Sequence, residues 1–454
     1  MRHKIQFMLS KLGIAWMFAL VTINFNRIAI FDLGITAVLI TTMIGLYPFF
    51  GPLQPAFGRL TDRYPILGYR RSPYLLLGML VGSLVFLPLP GVIAAISAGS
   101  RPALLAGFAL FFMFGASIAL MANTYLDLVA ECTTEATRGG VLAAAWTGQT
   151  AVIVVWALVF RALMPDYSPE AMQRLYTLTP AVVMLLAVLS VIGLERRLSP
   201  AELALVRSGE MASQRESNPI RESLALLQRN RAARSFFAFI LLSFPAIFLQ
   251  DALQEVFGGE VLGMRVGETT VFQQIFNGTV TIGMALTAVL GARLVGSRAA
   301  TASLPIAQKK RIAALGGVGA AIGLLAQAGS ALAGSAVLFD LALAGLGLCV
   351  GVFTFAAVTM MSDMTVEGQT GRYLGLWSLA QAIGLGLSFL LSGALHTLLI
   401  GQGLLGAGAG YAVIFGLESA CMLWCVLAVR GASVAALREQ AAAPARRGDA
   451  PAAV

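Results

Sequence analysis

Charge is what this sequence has least of. Only 12% of its 454 residues are Asp, Glu, Lys or Arg, and 58% are hydrophobic, where a soluble domain carries about 25% charged residues. A water-soluble globular fold is excluded on that balance, and the mean hydropathy of +0.82 agrees. Histidine is scarcer still, with only His3 and His396. No nucleophile elbow, phosphate loop or metal-spaced cluster accompanies them, so neither an enzyme nor a metal site is read here. The four cysteines, Cys132, Cys349, Cys421 and Cys425, lie in or beside apolar runs without ligand spacing and read as small apolar filler. The opening MRHKIQFMLSKLG runs straight into a full-length apolar stretch, so no cleaved leader is expected. In such a chain the net charge of +9 is not a nucleic-acid signal. It is the basic bias of a membrane protein's cytoplasmic face.

What the sequence has in quantity is apolar runs of membrane-crossing length. A span needs ~20 apolar residues. Runs near 9–30, 35–57, 73–97, 103–126, 139–163, 177–194, 235–256, 269–294, 312–332, 336–361, 372–398 and 409–429 meet that need. Continuous runs rather than ten-residue alternation select helices over a barrel. The expected fold is therefore an all-α integral membrane protein of about twelve spans. Twenty-six of the 31 lysines and arginines fall on one side of that layout, which places both termini in the cytoplasm of an inner membrane. The longest hydrophilic interruption, 195–234, divides the spans six and six. The expected domains are a first bundle over 1–194, the 195–234 linker, a second bundle over 235–430, and a disordered tail over 431–454. Within the linker, Ser199-Pro200-Ala201-Glu202 reads as a capping box. Asn218-Pro219 reads as a second helix start, with Ile220, Leu224 and Leu227 on one face. Either these are two short surface helices or the linker is a disordered charged segment. Glu131–Gln149 and Asp363–Gln381 align at a constant offset, each joining a pair of spans, as a six-plus-six repeat requires.

The stretch Gly58–Tyr74 carries Gly58, Asp62, Arg63, Gly68, Arg70 and Arg71 in the order Gly, acid, base, Gly, base, base. That order resembles the loop between helices 2 and 3 of the major facilitator superfamily, here lengthened by Tyr64 to Leu67. Asp62 can pair with a base or cap the next helix. Its arginines are expected to meet Asp127, Glu131 or Asp363, while Asp127 and Glu131 also read as partners of Arg138 or as helix caps.

Polar groups inside spans carry the rest of the information, because burying them is costly. The candidates are Asn26 and Arg27 in span 1 with Asp32 just beyond its outer end, Gln149 in span 5, Asp251 and Glu255 in span 7, Gln273 and Asn277 in span 8, and Gln381 in span 11. Asp251 and Glu255 are expected to share one helix face. Arg27 with Asp32 is either a structural or a functional pair. Asn26-Arg27 with Asp32-Leu33-Gly34, the run Leu67 to Tyr74, and Gln250-Asp251 with Glu255 and Gly258 to Met264 are together similar to the PucC family. That family is a branch of the major facilitator superfamily. The resemblance implies two six-helix bundles and a role in handling (bacterio)chlorophyll for light-harvesting complex assembly. Its implied partners are antenna polypeptides or pigment-synthesis enzymes, in a photosynthetic inner membrane among lipid. The competing readings are a proton-coupled transporter, with Asp251, Glu255 or Asp32 carrying the proton, and a non-transporting scaffold for antenna helices.

Overall fold

A computed structural model of the protein describes residues 2–208, 227–228, 231–295, 306–364 and 370–431. Among them every regular element is helical, and one isolated bridge joins Ile66 to Tyr69. Ten helices are long and apolar enough to cross a membrane. They are span 1 (Ile5–Asp32), span 2 (Ala37–Arg63), span 3 (Ser72–Ser97), span 4 (Arg101–Cys132), span 6 (Pro169–Val191), span 8 (Val266–Gly291), span 9 (Ala307–Ala333), span 10 (Ala336–Met360), span 11 (Ser378–Gly401) and span 12 (Ala407–Ala428). Two shorter apolar stretches, Ala151–Leu163 and Phe237–Phe248, stand at spans 5 and 7. The chain is a multi-pass, all-α membrane protein.

Span 6 begins earlier than the apolar run suggests. Ser168 accepts from the Ala171 amide at 3.1 Å and Pro169 opens the helix, so Arg174, Tyr176 and Thr177 are helical. Gly58, Asp62 and Arg63 likewise sit on the last turns of span 2 rather than in a loop, because that helix runs to Arg63.

The buried side chains form two cores. One gathers residues from Phe7 to Leu194 together with Ala252, Val256, Val266 and Phe389 of the second half, and the other gathers residues from Phe239 to Cys425. Span 1 is the innermost element: its most apolar window is 83% buried, against 22–50% for the other long spans. Across the halves, span 2 packs on span 11 and the helix Glu135–Leu163 packs on span 8. Without a hydrophobic difference between protein and lipid tails, close backbone approach supplies much of the packing energy. At Gly316 in span 9 an added Cβ would stand 2.6 Å from the Phe353 amide nitrogen of span 10. Gly316→Val is therefore expected to destabilise the second core by about 1–3 kcal/mol. A lowered thermal midpoint in detergent checks this, with Gly416→Val, where nothing lies within 4 Å, as the neutral control.

In the linker, the capping box forms as read. Ser199 N donates to Glu202 Oε2 at 2.7 Å, Glu202 N donates to Ser199 Oγ at 3.3 Å, and the helix Pro200–Ser208 follows. The Ser199 donors, with Arg196, hold the Glu202 carboxyl down at about 2, so the box persists through mild acid. The second helix start at Asn218-Pro219 and the tail from Ala432 lie outside the described residues.

Span 7 is not one helix. It runs through Arg231–Ser243 and Pro245–Phe248, loosens into turns over 249–253, and resumes as Gln254–Glu260. Pro245 brings no amide to the ladder, and its ring disfavours a straight helix. Span 1 is irregular as well, with wide π-helical turns at Leu20–Phe25 and Ile28–Asp32 on either side of Asn26-Arg27. Such turns concentrate at functional sites.

Candidate functional site

The irregular parts of spans 1 and 7 meet. The Asn26 side-chain amide donates to the Ala252 carbonyl, in the turn that interrupts span 7. Arg27 is 1% exposed. It holds Asp32 at 2.5 Å and donates to the Met264 carbonyl at 2.7 Å, and its guanidinium lies 4.7 Å from the Phe31 ring centre. An added Cβ on Gly259 would stand 3.0 Å from the same guanidinium and 2.9 Å from the Phe31 ring, so glycine is what lets the resumed helix come this close.

Behind that contact lies the acid pair. Asp251 and Glu255 do not share a helix face, because Asp251 stands in the turn and Glu255 in the resumed helix. Asp251 Oδ1 accepts from Gln273 Nε2 at 3.0 Å. Asn277 then donates to Gln273 Oε1 and to its carbonyl, both at 2.9 Å. Six of the expected residues thus fall into two bonded groups: Asn26, Arg27 and Asp32, which tie span 1 to the carbonyls of Ala252 and Met264, and Asp251, Gln273 and Asn277, which tie the turn of span 7 to span 8. Gln149 and Gln381 make no hydrogen bond to either group; Gln149 is half-buried and Gln381 is exposed.

The site is also larger than expected. Gln250, Gln254 and Glu255 are all at most 1% exposed, and none of their side-chain nitrogens and oxygens has a hydrogen-bond partner among the described residues. Most buried polar groups in folded proteins are paired, so this concentration at a helix break makes it the candidate site. Glu418 of span 12, also 1% exposed, accepts from the Gln250 amide at 3.2 Å. It replaces the acceptor that a regular helix would supply. Gln254 was missed because it stands beside the more conspicuous acid Glu255 and close to Gln250 and Asp251, and nothing in its spacing distinguishes it from them.

On the far side of the resumed helix, Glu260 Oε2 accepts from Tyr411 at 2.9 Å and lies 2.9 Å from His396 Nε2. This ties spans 7, 11 and 12.

The basic end holds a second polar assembly. Arg71 is 4% exposed. Its guanidinium meets Asp62 at 2.5 Å, Asp127 at 3.2 Å and Glu131 at 2.9 Å, and it donates to Thr61. Arg70 adds Asp62 at 2.6 Å. Burial alone would lower the Arg71 pKa; the three carboxylates outweigh it and raise it above the ordinary value. Asp127 and Glu131 are therefore partners of Arg71; the side chains of Arg138 and Asp363 lie outside the described ones. Arg63 is exposed and takes no part in this network. Gly68 has φ +85°, a left-handed conformation suited to glycine. Asp62 does not cap span 3. Glu195 does, accepting from the Arg70, Arg71 and Ser72 amides at 2.7, 2.9 and 2.6 Å.

Known proteins resemble this chain along most of its length. The model of a family described as PUCC protein matches residues 24–436. A Rhodobacter capsulatus protein, described as an uncharacterized protein in the puhA-bchM intergenic region, is 30% identical over 426 residues, which cover 89% of this chain and 83% of that one. The bacteriochlorophyll synthase 44.5 kDa chain of Rhodobacter capsulatus is 29% identical over 443 residues, 96% of each. Protein PucC of Rhodovulum sulfidophilum is 26% identical over 381 residues, 81% of this chain and 79% of that one. Among solved structures, the nucleoside transporter NupG superposes with a TM-score of 0.69 at 13% identity, covering 95% of this chain and 99% of its own. A bacterial homologue of the iron transporter ferroportin, in its inward-facing state, gives 0.64 at 13% identity, with 95% and 97% covered. At such identities these structures show the fold alone, which is the two-bundle fold of the major facilitator transporters.

Proposed function

The chain belongs to the PucC family, and from that premise we propose that it binds (bacterio)chlorophyll and hands it on while light-harvesting complexes are assembled. The observation that carries this reading is the break in span 7, where Gln250, Gln254 and Glu255 are buried with their side-chain oxygens unpartnered. Magnesium prefers hard oxygen ligands, and oxygen is what this break offers to a pigment's metal. The names of two relatives, PucC and a bacteriochlorophyll synthase chain, connect such proteins with the same pigment. The transporter fold favours a carrier over a synthase, so the pigment should leave chemically unchanged. The partners are then antenna polypeptides or pigment-making enzymes, in an inner photosynthetic membrane with both termini in the cytoplasm. The bundles over 1–194 and 235–430 act as the two moving halves.

The experiment is purification from a bacteriochlorophyll-making host, followed by an absorption spectrum and mass analysis of the extracted pigment. Wild-type protein should carry pigment. Asp251→Asn and Glu255→Gln should each weaken pigment retention at the break about tenfold or more, the equivalent of one lost charge-assisted contact, while membrane levels stay normal. A colourless wild type, or full pigment in both variants, would sink the reading.

One observation favours a second reading. Asp251, Glu255 and Glu418 are three acids around one break, and Arg27 is already bonded to Asp32. A proton-coupled transporter would use such acids. Uptake driven by a proton gradient, abolished by Glu255→Gln in pigment-free membranes, distinguishes it.

A further inference from the structure

Between spans 3 and 6, at the end away from the basic network, lies an open groove of about 840 Å³. That is near the upper end for small-molecule pockets, which run to roughly 1,000 Å³. All its lining comes from the first half and none from span 1, so it is separate from the break in span 7. Its walls include Gly91, Ala94 and Ala181, small exposed residues that leave a broad, shallow surface. A Cβ on Gly91 would meet nothing within 4 Å. Along one face of span 6 the lining changes from Glu170, Gln173 and Arg174 at the helix start to Leu178 and Ala181 deeper in. A ligand fitting this gradient has an apolar body and one polar edge.

Gln173 is held in a defined orientation. Its amide nitrogen donates to the Leu87 carbonyl at 3.4 Å and to Thr177 Oγ1 at 3.2 Å. A main-chain carbonyl can only accept, which fixes the nitrogen on that side and leaves Oε1 uncommitted on the groove wall. Arg174 makes no ion pair among the described residues, and Glu170 sits one helical turn before it. Two opposite charges side by side are a poor cradle for a phosphate. A neutral metal centre needing one hard oxygen, with a carboxylate edge for Arg174, suits them better.

We propose that this groove is a lateral binding site for a magnesium tetrapyrrole, with its plate against Gly91, Ala94 and Ala181 and Gln173 Oε1 as the metal's axial ligand. The inference rests on the pigment-handling reading and adds a second place for the pigment, open on the flank of the first bundle. A carrier that hands its cargo to another membrane protein needs such an opening.

The test is titration of the purified, delipidated full chain in detergent with magnesium chlorophyllide, read by absorption and fluorescence. Wild type should bind two equivalents. Gly91→Trp, which fills the groove at an open position, should bind one. Gln173→Leu should weaken one class of sites about tenfold and shift the absorption band that responds to axial ligation. Asp251→Asn should remove only the other class. Two equivalents in Gly91→Trp, or an unshifted band in Gln173→Leu, would overturn the groove while leaving the central site standing. Complete displacement of the groove-bound class by phosphatidylglycerol would overturn it in favour of a lipid. A wild type that binds no pigment at all would overturn both readings together.

Discussion

Arg71→Leu should cost the first bundle about 3–5 kcal/mol, the expected penalty for removing one partner from a buried ionic network. The guanidinium is 4% exposed and touches three carboxylates from spans 2 and 4. Without it Arg70 still reaches Asp62 at 2.6 Å and Glu131 at 3.8 Å. Asp127 keeps only the neutral Asn123 amide at 2.9 Å. The carboxylates are 12–34% exposed, so water offsets part of the loss and the lower end of the range applies. Arg70→Leu should cost less, because Arg71 remains. Arg63→Leu should cost about 0.5 kcal/mol or less, as at an ordinary surface position. Thermal unfolding in detergent ranks the three. Equal losses for Arg63→Leu and Arg71→Leu would show that the network does not hold spans 2, 3 and 4 together.

Arg27→Met should have an effect of similar size, felt between the halves rather than within one. It leaves Asp32 without its cation and the Met264 carbonyl without its donor. Truncating one member of a buried, hydrogen-bonded charge pair costs roughly 2–5 kcal/mol. Because Met264 lies in the second half, part of that energy holds span 1 against the end of span 7. The variant should open this contact more often. A cysteine placed at Ala252, which is buried where span 1 meets the turn of span 7, should react with a water-soluble thiol reagent at least about tenfold faster in the Arg27→Met background, as 1.4 kcal/mol of lost closure requires. An unchanged rate would mean that other bonds hold the halves together. These include Gly267 N to the Pro165 carbonyl at 3.0 Å and Val38 N to Thr397 Oγ1 at 3.0 Å.

The spans were legible because length and hydropathy follow from the bilayer itself. So was the Arg27–Asp32 pair, since two opposite charges five residues apart in one apolar span have few other choices. The capping box at Ser199 was legible because its chemistry is local. The interruption of span 7 was not. A hydropathy window averages over it, and Gln250, Asp251 and Gln254 look like scattered polar residues until span 12 brings Glu418 to the freed amide. Glu195 shows the same limit. It is an isolated acid at the end of span 6, and only folding carries it to three amides over 120 residues away in the chain. Contacts set by helix order are invisible to spacing along the chain. The carboxylates of span 4 were read both with the arginines of the loop before span 3 and with Arg138; Arg71 meets Asp127 at 3.2 Å and Glu131 at 2.9 Å, a pairing that the loop's charge order made legible.

Among the described residues, three bonds that join span 1 and span 8 to the opposite half have a common character. Asn26 reaches the carbonyl of Ala252, Arg27 that of Met264, and the Gly267 amide that of Pro165. In each case the acceptor is main chain. The accepting positions can therefore change side chain without losing the bond, provided the backbone path holds, while Asn26 and Arg27 have no substitute. Mutational tolerance across this interface is one-sided. A lineage could remodel residues 252, 264 and 165 to suit a different cargo while the two halves go on recognising each other through atoms that every amino acid possesses.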